Sequence, residues 1–125
     1  MPPDHRLAAV LAAAVLACLA TAAAAADAEH GKELYESRCG GCHSLDANRV
    51  GPAHRGVFGR TAGTAPNFNY STAVKNSGVV WGDKTLDAWL TNPGALIPGQ
   101  RMNFRIALPE DRADIIAYLR QQSGK

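Results

Sequence analysis

No stretch of this chain alternates apolar and polar residues for the length of a strand, so a fold built on a sheet is excluded at the outset. Charge of one sign is also lacking: 13 Lys and Arg against 11 Asp and Glu leave a net +2, too little to hold a polyanion, so nucleic acid is not an expected partner. Internal repeats are absent. Low complexity is confined to the amino terminus. Cysteine occurs only at positions 18, 39 and 42, and methionine only at the initiator and at position 102. Each of these rare residues therefore carries weight.

Leu7 to Ala26 contains no charged residue and is mostly alanine, which fits a secretory signal with an A-x-A cut after Ala26. The expected organisation is a cleaved signal over residues 1–26 and one domain over 27–125. Two alternatives stay open: an uncleaved membrane anchor, since ~20 apolar residues can span a bilayer, and lipidation at Cys18 within Val15-Leu16-Ala17-Cys18. Removal of residues 1–26 takes Asp4 and Arg6 together, so the charge stays at +2. The remaining segment of about 100 residues is small enough to need a staple. Cys39 and Cys42, three apart, make a poor disulfide staple, so something else is expected to use them.

Three helices are expected, giving an all-α class. The first covers His30 to Arg38, with Leu34, Tyr35 and Arg38 near helical spacing. A short middle helix opens at Thr85, shares Leu86, Trp89 and Leu90 on one face and stops at Pro93. The last runs over PEDRADIIAYLRQQ, with proline in its first turn, acids at its positive end, Arg120 at its far end and an apolar face of Ile115, Ile116, Tyr118 and Leu119. Residues 48–76, rich in Gly, Pro, Asn and Thr, read as ordered loop. So long a loop in a small domain implies that it wraps something.

Cys39-Gly40-Gly41-Cys42-His43 fits C-x-x-C-H, the attachment signature of covalent haem. Two thiols three apart at a helix end can reach the two vinyl groups on one edge of a porphyrin and form thioethers. The next histidine then comes under the iron, one ring nitrogen coordinating and the other donating to a backbone carbonyl. Slim Gly40 and Gly41 leave room for this. A thioredoxin-like dithiol needs a strand-then-helix context that this chain lacks. Zinc would need four ligands from Cys39, Cys42, His43, His30 and His54, without the usual second pair.

From Gly31 to about Gln121 the chain resembles the class I cytochromes c of mitochondria and bacteria. GKELYESRCGGCH resembles the family's first helix, GPAHRGVFGR its loop below the haem, and Ala117-Tyr118-Leu119 its final helix. The resemblance implies crossed terminal helices and a short middle helix, with long ordered loops around one covalent haem c. Gly31 is expected to let an aromatic such as Tyr118 pack over the backbone at the crossing. Met102, in PGQRMNF, stands where the family places its second axial ligand, the alternatives being a gap-filling core methionine or His54 or His30 as ligand. His54 stands where the family commonly has an apolar residue. By the same resemblance Pro52 offers its carbonyl to His43, and Arg60, Tyr70 and Trp81 donate to the haem propionates. Trp89, Val74 and Gln100 replace tyrosine, asparagine and threonine common in the family, which predicts a drier methionine side and a shifted potential.

With both axial positions filled, no substrate site is left at the iron, so the expected function is one-electron transfer rather than catalysis, in the bacterial periplasm, by a monomer. Expected partners are redox proteins of a respiratory or photosynthetic chain: a membrane cytochrome complex, an oxidase, a reductase or a reaction centre. Arg38, Arg49, Arg101 and Arg105 are expected to frame the exposed haem edge, though Glu33 and Gly94 replace lysines usual there. Two other classes remain open: a membrane-tethered electron-transfer subunit, and a haem sensor or peroxidase-like protein if Met102 is labile.

Overall fold

A computed structural model describes residues 25–125. The signal assigned to residues 1–26, and with it Cys18, therefore lies almost wholly outside the described residues. Among those residues no strand forms, and the class is all-α: α1 (Ala28–Leu34) runs into a π-helical turn (Tyr35–Cys39), followed by α2 (Thr72–Lys75), α3 (Asp83–Thr91), α4 (Pro93–Leu96) and α5 (Pro109–Gln121). No helix of the described residues is long and apolar enough to cross a membrane.

Asp27 caps α1 by accepting from the N–H groups of Glu29 and His30. α1 then crosses α5, the most extensive helix pairing among the described residues. Gly31 permits this crossing, but for a different neighbour than expected: a β-carbon there would fall 1.9 Å from the main-chain carbonyl oxygen of Asp114, so the space is taken by α5 backbone and not by Tyr118. Tyr118 packs instead on Tyr35, their ring centroids 5.4 Å apart. The Asp114 carboxylate spans the crossing, accepting from the Asp27 N–H at 2.7 Å and pairing with His30 Nδ1 at 2.8 Å.

The middle helix stops before Pro93, as expected, and differs from the sequence expectation only in its opening. It opens two residues earlier, and Thr85 folds back so that its Oγ1 accepts the N–H of Gly82 at 2.8 Å. It ends at Thr91 with Asn92 as its cap, and Pro93 starts α4, where a missing N–H leaves nothing unpaired. α5 matches its sequence signals, with Ile115, Ile116, Tyr118 and Leu119 buried. Arg112 is buried among them. Its guanidinium donates to Asp87 of α3 at 2.7 Å and to the carbonyls of Ile106 and Ala107 at 2.9 and 3.1 Å, tying α5 to α3 and to the segment between them.

Residues 48–76 are ordered, as expected, with one helical turn, α2, capped by the Ser71 hydroxyl. An isolated antiparallel bridge pairs Thr61 with Val80. The adjoining hydrogen bonds, Gly59 N to Trp81 O at 2.6 Å and Trp81 N to Arg60 O at 2.9 Å, hold Arg60 and Trp81 side by side.

Candidate functional site

After Cys39 the chain keeps turning: the N–H groups of Cys42 and His43 both donate to the Cys39 carbonyl, at 3.1 and 2.9 Å. Residues three and four apart on such a turn share a face, so two thiols and an imidazole stand on one wall. Among the described residues neither cysteine forms a disulfide. Burial pushes the Cys39 thiol up to about 11, so it is protonated near neutral pH. Gly40 is needed at this turn, since a β-carbon would lie 2.4 Å from the Glu36 carbonyl oxygen. Gly41 faces open space and makes no such demand.

Burial holds the His43 imidazole below its ordinary pKa, with the Pro52 carbonyl opposing the shift and the nearby Arg49 cation adding to it. Burial therefore favours the neutral ring. Its Nδ1 stands 2.8 Å from Pro52 O. A carbonyl only accepts, so Nδ1 carries the proton and Nε2 is left with a lone pair. Gly51 packs against the same ring, and a β-carbon there would come within 2.1 Å of Cε1. Arg49 does not stand free at the surface. Its guanidinium donates to the carbonyls of Gly40, Gly41 and His43 at 2.5, 3.3 and 3.3 Å, pinning the turn that carries the three reactive groups.

These groups line a cavity of about 760 Å³ at the centre of the domain. Volumes of ~300–1,000 Å³ are usual for cofactor sites. All eight residues singled out from the sequence, Cys39, Cys42, His43, Pro52, Arg60, Tyr70, Trp81 and Met102, line this one space. Its remaining walls are largely apolar, with the aliphatic Val57, Leu86, Leu90, Ile115 and Leu119 among them. Val50 and Phe104 also line it while standing 77% and 41% exposed, so one edge opens to solvent.

The Tyr70 hydroxyl accepts the Ala65 N–H at 3.0 Å, which leaves its own proton to donate. Arg60 gives two of its donors to the carbonyls of Ala53 and Arg55 at 3.1 and 3.4 Å and keeps the others. Trp81 is buried and tilts against Trp89, centroids 5.2 Å apart. Trp89 and Val74 line the cavity and make that side apolar. Gln100 does not line it. The Gln100 Nε2 donates to Asn103 at 3.2 Å, and its Oε1 is buried without a partner.

The four arginines expected around an exposed edge separate. Arg38 and Arg101 line the cavity, Arg49 is turned to main chain, and Arg105 borders a separate smaller hollow. His30 is tied to Asp114 at the surface and takes no part in the cavity. His54 lines it. The sequence signals did not reveal that its ring stacks on His43, 3.9 Å between centroids at 18°. The donor set is thus two thiols and a neutral imidazole on one wall, a thioether in another segment, and a few hydrogen-bond donors in an apolar space. That set fits a flat apolar macrocycle carrying a soft metal centre and acidic substituents.

A model of the cytochrome c family matches residues 28–123. The chain is 50% identical to a cytochrome c from Euglena viridis over 97 residues, covering 75% of this chain and 95% of that protein. It is 43% identical to cytochrome c2 from Rhodomicrobium vannielii over 116 residues, 90% and 92% of the two chains. The solved structure of cytochrome cH from Methylobacterium extorquens superposes with a TM-score of 0.72 at 38% identity, covering 76% of this chain and 98% of that one.

Proposed function

The chain belongs to the cytochrome c family, and on that premise we propose that it is a one-electron carrier of the bacterial cell envelope, its haem c bonded through Cys39 and Cys42. The observation that carries the reading is the single cavity wall on which Cys39, Cys42 and His43 stand together, with Met102 lining the same cavity.

Bound haem supplies an iron that alternates between ferrous and ferric states. The chain's own residues do the rest. His43 offers its Nε2 lone pair, the Pro52 carbonyl fixing the tautomer. Met102 offers a soft thioether that favours the reduced state. Tyr70, Arg60 and Trp81 donate to the acidic substituents, offsetting the cost of taking them out of water. The aliphatic walls exclude water. Val50 and Phe104 leave an edge through which a partner can be approached.

Residues 1–26 act as a signal removed after export, placing residues 27–125 in the periplasm as a diffusible monomer. Its partners are membrane redox complexes, met at a surface where Arg38 and Arg101 stand near the open edge. The test is a spectroelectrochemical titration of the purified protein with carbon monoxide as probe. One reversible one-electron step, and no carbon monoxide binding to the reduced form, is the expected result. Carbon monoxide binding would move the reading to a sensor or peroxidase-like protein.

A further inference from the structure

A histidine ring turns easily about its Cβ–Cγ bond, because that torsion has broad and shallow wells. One hydrogen bond at Nδ1 places the His43 ring edge but does not by itself fix the plane. In this chain the plane is met by a second ring. His54 lies nearly parallel to His43, at 18° with centroids 3.9 Å apart, closer than the ~4.5–7 Å usual for aromatic pairs. At that spacing neither ring can turn without striking the other.

His54 is itself held. Tyr35 Oη stands 3.0 Å from its Nδ1, and the two rings meet edge-on at 5.6 Å. Tyr35 is 4% exposed and packs on Tyr118 at the crossing of α1 and α5. A run of rings thus joins the helix crossing to His43, and an aliphatic side chain at position 54 would break it.

We propose that His54 is a positioning residue: stacked on His43 and anchored by Tyr35, it fixes the plane of the imidazole that coordinates the haem iron. This rests on the reading of His43 as an iron ligand. The orientation of that ring shapes the unpaired-electron distribution over the haem in the ferric protein, which proton NMR reads directly.

The test uses the haem-loaded protein and the paramagnetically shifted haem methyl resonances of His54→Leu, His54→Phe and Tyr35→Phe. His54→Leu removes the flat ring and is expected to change the spread and order of the methyl shifts. His54→Phe keeps a flat ring and is expected to restore the wild-type pattern. Tyr35→Phe keeps every ring but frees the edge of His54, and is expected to move the same resonances in the same sense by less. An unchanged pattern in His54→Leu, or equal changes in the Leu and Phe variants, would overturn the proposal. If His54→Leu does not accumulate, an unmoved Tyr35→Phe spectrum overturns it alone. Failure of the underlying reading is distinct: the wild-type protein would then lack haem or show no histidine-ligated spectrum.

Discussion

Replacing Met102 by alanine removes the one soft ligand donor in the cavity besides the two thiols. The expected outcome is a lower reduction potential, since a thioether ligand would favour ferrous iron, together with carbon monoxide binding to the reduced variant that the wild type is not expected to show. Arg49→Ala tests a different role. Its guanidinium holds three carbonyls of the Cys39–His43 turn, and its loss is expected to cost about 1 kcal/mol in denaturant unfolding. A purely surface arginine would cost nothing measurable. Sequence motifs name residues of this kind as charges near an edge, but only the folded turn shows which carbonyls a guanidinium meets. The plane of His54 was unreadable for the same reason, because it is set by Tyr35, 19 positions away.

Among the elements, the crossing of α1 and α5 is the one most exposed to mutation. Gly31→Ala places a β-carbon 1.9 Å from Asp114 O, backbone that cannot swing aside. The expected cost is ~1–3 kcal/mol, read as a lower denaturation midpoint. The Asp114 clasp adds a pH dependence. A hydrogen bond to Asp114 raises the His30 pKa, and the same bond lowers that of Asp114. The His30 contribution is complete below its unfolded pKa of ~6.5 and fades as pH rises through the raised folded value. The Asp114 contribution is present above ~3.9 and fades as pH falls through the lowered one. Wild type should therefore exceed Asp114→Asn in stability most clearly between about pH 4 and 6.5, with the difference shrinking by pH 8.5. A constant difference across pH would contradict this. α5 was legible because its proline, acids and apolar face all agree. α2 and the Thr61–Val80 bridge were not, since their hydrogen bonds are set by packing around the cavity and no periodicity marks them. The burial of Arg112 was not legible either, since its acceptors come from α3 and an irregular segment.

At the scale of the whole molecule, the domain is a thin shell of helices and loops around a space of about 760 Å³. Protein interiors are otherwise close-packed, so the account requires that space to be filled by a group bonded to the chain, which serves as both core and electron site. Such a group would also give the loop rich in glycine and proline something to wrap. The measurement that tests the claim most directly is the intact mass of the purified, exported protein under denaturing conditions. The expected mass is that of residues 27–125 plus one haem, the haem being retained after acid extraction and lost when Cys39 and Cys42 are both replaced by serine. A mass equal to the bare polypeptide, from a host that matures other proteins of this family, would contradict it.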